Sequence, residues 1–300
     1  MWDKIQMFGF TALWSPYFLL TLLLILALYF FLLLKKRNGW GDSNRNKQAI
    51  FFTLALLLLY IVKGSPLDLM SHVLFYAHMS QMALLFLLIP PLLIWGLPNW
   101  MWRKILSIKL IGYPFLFFTK PILAVILFNV FFSFYHIPLI FDIVKMNMWA
   151  HTAATAFLFL LAVFMWWPLV HPLEELGGLS GIKKVAYIFA DGVLLTPACA
   201  LIIFADTPLY ATYSNPNIWA EAMSLCVPHS TLATLELSGP EMFSSLSPLF
   251  DQQIGGVLMK IIQEVIYGCM LGRVFFRWYK DEQKETADDQ RNKQAALTIK

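Results

Sequence analysis

Leu19–Leu34 reads LLTLLLILALYFFLLL, an apolar run without a charge that stops against Lys35, Lys36 and Arg37. At 1.5 Å per residue, a helix through 15–35 reaches across a hydrocarbon layer of about 30 Å. The run is continuous, so it lacks the two-residue alternation of a membrane β-strand. Six further segments share this character, near 49–64, 72–95, 121–136, 147–170, 184–205 and 252–273, the second and fourth being short. The pattern predicts an all-α integral membrane protein: a seven-helix transmembrane bundle within residues 1–276 and a tail over 277–300. Composition agrees, because 59% hydrophobic and 13% charged residues in 300 do not suit a soluble domain, which carries roughly 25% charged residues. Met1–Pro16 holds one lysine and no small-residue cleavage site, so the first span reads as a retained helix rather than a signal peptide.

Orientation follows from Lys and Arg between the spans. With the N-terminus outside, the outer segments hold Lys4, Lys63 and Lys145. The inner segments hold 18 such residues, among them Lys35, Arg103, Lys120, Lys184 and Arg273, while Lys260 lies within the last span. The expected topology is N-terminus out and C-terminus cytoplasmic. The net charge of +4 then belongs to a face beside anionic lipid, and nucleic acid is not an expected partner. Trp100–Ile111 mixes Trp, Arg and Lys with apolar residues, as expected of a segment along the inner interface. The mixed-charge tail after Arg277 reads as disordered or as a frayed helix. The outer connection 206–250 is longer than ordinary loops. It is expected to hold a short helix over Trp219–Leu225 capped by Asn217, and to serve either as a lid or as a surface ornament.

Five of the six histidines fall at or beyond the outer end of the spans. His72 opens the third span, and His78 follows about 9 Å deeper. His136 closes the fourth span and His151 begins the fifth, while His229 lies in the outer loop and only His171 at the inner end. Met82 is four residues after His78 and shares its face, Gln81 lies on that side, and Met79 is placed on the face of His72. Asn147, Met148 and His151 form a similar group. Asp206 ends the sixth span, and Asp251-Gln252-Gln253 opens the seventh. Imidazole and thioether at one depth suit copper(I), with carboxylates behind to orient the rings. The expected metal set is His72, His78, Met82, His136 and His151, supported by Met79, Gln81, Asp206, Asp251, Gln252, Gln253, Lys260 and Glu264. A single interface histidine is more often an anchor, and a single Met more often core packing. A polar ring as deep as His78, however, normally marks function.

In the last span Lys260 and Glu264 are four residues apart and can pair, as an ion relay or as a neutralised couple, with Asp191 a possible partner. Gly255 and Gly256 permit close approach of a neighbouring helix. Cys199, Cys226 and Cys269 form no CxxC, although Cys226 and His229 could share in metal capture. The chain has no Walker, HExxH or G-x-S-x-G motif, so an enzyme is not expected.

The run His78-Met79-Ser80-Gln81-Met82 leading into Pro90-Pro91-Leu92-Leu93-Ile94-Trp95-Gly96-Leu97-Pro98 resembles the signature of the CtaG family of cytochrome c oxidase assembly factors. His136-Ile137-Pro138, His151 with Trp166-Trp167-Pro168, and Asp251-Gln252-Gln253-Ile254-Gly255-Gly256 follow in the family's order. The resemblance is to the multi-pass type typical of Gram-positive bacteria, and not to the single-pass copper protein of the same name. It implies a cell-membrane factor that assembles a caa-type oxidase, supplying copper to the binuclear centre of its catalytic subunit. Many members have a second histidine where this chain has Met82. Three other readings stay open: a b-type haem-binding or haem-handling protein, a copper transporter, and a metal-free scaffold for oxidase subunits.

Overall fold

The computed structural model describes residues 5, 6, 8–35, 45–225 and 239–298, all of them helix, turn or loop without a strand. Cys226 and His229 lie outside the described residues. The long helices are α1 (Pro16–Lys35), α2 (Arg45–Gly64), α4 (Phe75–Gly96), α7 (Pro121–Tyr135), α9 (Met148–Val170), α10 (Gly181–Ile203) and α12 (Pro248–Thr298). Shorter ones join them: α3 (Pro66–Val73), α5 (Asn99–Ser107), α6 (Lys109–Phe118), α8 (Pro138–Lys145) and α11 (Pro216–Ser224). Six helices are individually long and apolar enough to span a bilayer. The seventh expected span, α7, has 15 residues, about 22 Å. It completes a crossing only together with α6, from which it bends by 83°.

Helix α4 is the axis of the bundle. In its most apolar stretch 72% of residues are buried, against 17% for α1, whose side chains are largely exposed. Around it pack α2, α9 and α12, with α10 against α12 and α7 against α9. Glycines set the closest approaches. A Cβ on Gly96 would lie 2.7 Å from the Phe52 backbone of α2, and one on Gly255 would lie 3.1 Å from the Tyr76 Cα of α4. The Pro90-Pro91 pair removes two N–H donors from α4, and a π-helical turn over Leu84–Leu88 precedes it. The Phe86 carbonyl, four residues before Pro90, accepts instead from the Trp166 indole at 3.1 Å, which answers the loss a helical proline causes.

Several expectations need correction. The third span does not run unbroken from residue 72, because Leu74 is extended (φ −129°, ψ 133°) and separates α3 from α4. His72 and Met79 therefore share no helical face. Trp100–Ile111 is divided between α5 and α6 at Ile108. Asn215, and not Asn217, caps α11, accepting from the Asn217 and Ile218 N–H groups. The tail after Arg277, expected as disordered or as a frayed helix, is helical to Thr298 as the end of α12.

The break at Leu74 is built from both sides. The last carbonyls of α3 accept from distant side chains: Ser71 from the Tyr213 hydroxyl, His72 from Lys145 Nζ at 3.4 Å and Val73 from the Trp219 indole at 3.3 Å. The first N–H groups of α4 donate to one carboxylate, Asp251 of α12, from Phe75 at 2.8 Å and Tyr76 at 3.1 Å. Helix ends leave such groups without partners inside the helix. The described part of the connection after α10 thus serves as a clamp on α3, while Asp251 of α12 holds the start of α4.

Candidate functional site

The break turns α3 and α4 so that His72 and His78 face different neighbours. His72 lies edge-on to His151 of α9, ring centroids 5.4 Å apart. His78 lies 6.1 Å from His136, at the end of α7. Tyr135 joins the two pairs: its ring is 6.3 Å from His78 and 6.5 Å from His151, and its hydroxyl is 3.2 Å from His151 Nδ1. The four histidines predicted from α3, α4, α7 and α9 do gather at one end of the bundle, as two pairs around a tyrosine.

The pairs differ in chemistry. His78 and His136 are both buried, and each keeps an Nε2 atom with no hydrogen-bond partner. The Nδ1 of His136 lies 2.8 Å from the Phe132 carbonyl. Only a protonated Nδ1 can donate there, so a neutral ring carries its free lone pair on Nε2. His72, on α3 outside the spans, is held well below the ordinary histidine range, first by burial and then by Lys145 and Lys63. An unpaired buried nitrogen costs about 1–3 kcal/mol, and both rings carry one. Metal–imidazole bonds of about 2.0–2.1 Å on opposite sides of one ion place ring centroids roughly 6 Å apart, which matches the 6.1 Å separation. Among the described residues, no group of three or more His, Cys, Asp or Glu side chains is placed to hold a metal. A coordination site here would rest on two imidazoles.

The remaining predicted residues divide. Met79 and Met82 are fully buried in the core of α4, Met79 against the Gly255 turn of α12. Gln81 donates to the Val62 carbonyl at 2.7 Å and to Asp68 at 2.8 Å. Asp251, Gln252 and Gln253 bind backbone rather than imidazole: Asp251 caps α4, Gln252 ties Ile202 to Leu209, and Gln253 donates to Ala205. Asp206 is exposed. Asn147 accepts from the Ala150 N–H as the N-cap of α9. Lys260 Nζ lies 3.2 Å from a Glu264 oxygen, while Asp191 accepts from Asn129 and Tyr267 instead.

Sequence reasoning passed over Tyr135, Phe141, Asp142 and Tyr213, and used Lys145 only for orientation. Asp142 accepts from the N–H groups of Ala211 and Thr212 and from the Thr212 hydroxyl. Lys145 is buried with Nζ 3.3 Å from the Tyr213 ring centroid, and Phe141 lies edge-on to His78 at 5.1 Å. Phe141, Asp142 and Lys145 fall in 137–146, between two spans, where hydropathy carries no signal. Tyr135 alone had a cue, as the neighbour of His136.

Against this geometry, the sequence profile of the cytochrome c oxidase caa3 assembly factor family matches residues 27–281. The chain belongs to that family. The matched range takes in every helix from α2 to α11, and with them all four paired histidines. Comparison with curated proteins and with solved structures gave no match. Membership makes the chain a factor in the assembly of a cytochrome c oxidase, and the apolar helices make it a multi-pass membrane protein.

Proposed function

We propose that this assembly factor carries copper(I) as cargo for the oxidase's catalytic subunit, held between His78 and His136 at the outer leaflet of the cell membrane. The observation that carries the reading is the pair of buried imidazoles, each with an unpartnered Nε2, at a spacing that suits one shared ion. Copper(I) is soft, accepts as few as two ligands and suits imidazole. The Phe132 carbonyl orients His136 in the manner usual for a metal-binding histidine. His72 and His151, half a site away across Tyr135, are placed to receive or release the ion. Met82 remains a candidate third ligand. No membrane-crossing path for copper is part of this reading.

The positive-inside pattern supports placing the histidine end outside, and that is the side from which such a carrier would meet its partner. The Phe75, Tyr135, Phe141 and Tyr213 rings lie within 6.3 Å of the His78 ring. The experiment is copper measurement on protein purified from copper-replete cells, beside His78→Ala and His136→Ala variants, with oxidase activity scored in parallel. Copper near one ion per chain, lost in both variants together with copper at the oxidase's binuclear centre, is the expected result. Wild-type oxidase activity in the double variant would leave the metal-free scaffold as the function.

A further inference from the structure

At the end of the bundle opposite the four paired histidines, a cavity of about 230 Å³ opens between α9, α10 and α12. Its lining includes Lys184, Arg273 and Arg277, with His171, Trp95 and Trp278 as walls. Among the described residues, none of the three cations has a carboxylate partner. Arg103, at the same end, shows the alternative, holding Glu175 at 2.6 Å. The cations are kept facing the cavity. The Arg273 guanidinium is stacked 4.2 Å from the Trp95 ring centroid. Trp278 packs so tightly on Gly181 that a Cβ there would come within 2.4 Å of the indole. Three like charges around one low-dielectric opening repel each other, and the arrangement is stable when an anion sits among them.

We propose that this cavity binds the phosphate of an anionic lipid headgroup. Arg and Lys together suit a phosphate, Arg through paired N–H groups and Lys as a point charge. The volume is several times the roughly 30 Å³ share of one water, so it accommodates a phosphate and the start of its glycerol. Depth selects lipid over free phosphate. Arg273 is 22 residues beyond Asp251 on one continuous helix, about 33 Å along its axis. That separation equals the hydrocarbon thickness and puts the cations at the level of lipid phosphates. The lower lining, Leu169, Val170 and Met270, is apolar, as an acyl chain requires. Basic pockets between transmembrane helices are a known way of holding anionic headgroups.

The test is native mass spectrometry of the full chain in detergent with equimolar phosphatidylglycerol and phosphatidylcholine, and separately with inorganic phosphate. The wild type is expected to retain one phosphatidylglycerol in preference by about tenfold or more. The Arg273→Gln/Arg277→Gln double variant should lose that preference, and Lys184→Gln alone should weaken it, which keeps the test decisive if the double variant misfolds. Lys104→Gln/Lys109→Gln, which removes two charges of the same end outside the cavity, should keep it. Equal loss in that control would reduce the effect to general surface attraction and overturn the site. Displacement of the lipid by millimolar inorganic phosphate would overturn the lipid assignment in favour of a free anion.

Discussion

Replacing Asp251 by alanine should separate the two halves of the histidine site without touching an imidazole. The carboxylate is buried, 4% exposed, and takes the Phe75 and Tyr76 N–H groups of a helix 175 residues away in sequence. A hydrogen bond to a charged group contributes about 1.5–3 kcal/mol, and a buried donor left alone costs about 1–3 kcal/mol. Loss of an ordinary N-cap costs about 0.5–2 kcal/mol. Two donors at a buried helix start therefore put Asp251→Ala at roughly 3–5 kcal/mol. Asp251→Asn keeps one acceptor oxygen but turns an amide NH2 towards the other donor, so about half of that loss is expected. The assay is thermal unfolding of the purified protein in detergent, followed by steady-state level in membranes, with the exposed Glu174→Gln as control. The expected order of melting temperature is wild type and Glu174→Gln, then Asp251→Asn, then Asp251→Ala. His78 rides on the first turn of α4, so copper retention should fall with the same order. An Asp251→Ala protein that melts with the wild type would refute the claim that this carboxylate anchors α4.

Trp166→Phe leaves the Phe86 carbonyl beside Pro90 without its donor and should cost about 1–3 kcal/mol, read as a lower melting temperature with unchanged copper content. Gly96→Ala forces a methyl to within 2.7 Å of the Phe52 backbone. A backbone contact cannot rotate away, so the variant should be depleted from membranes, and Gly268→Ala, with open space around it, should not be. Asp142→Ala frees the chain at Ala211 and Thr212 from α8, and limited proteolysis should then cut the connection after α10 faster than in wild type. Lys260→Ala strands Glu264 within a span and should lower protein level, while Lys260→Ala/Glu264→Gln should restore it. Equal levels in the single and double variants would mean that the pair is not what holds the two charges in the membrane.

Hydropathy alone was enough for six of the seven spans, because twenty apolar residues at 1.5 Å each measure the bilayer whatever they pack against; the bent pair of α6 and α7 escaped it. It was also enough to place four histidines at one end, since depth along a helix is a count of residues. The family signature around His78 and Asp251 could be read in the same way. What a linear pattern does not contain is the break at Leu74. That break arises because Asp251, Tyr213, Lys145 and Trp219, all remote in sequence, satisfy the helix ends that an unbroken span would have satisfied itself. Once α3 and α4 separate, facing residues can no longer be assigned by spacing, so the Met79–His72 register fails. Tertiary structure also decided the pairing, His72 with His151 and His78 with His136, and gave Asp251-Gln252-Gln253 their backbone partners. Depth is a one-dimensional quantity and survives in the sequence. Which donor meets which acceptor depends on how separate helices pack, and only the assembled bundle determines it.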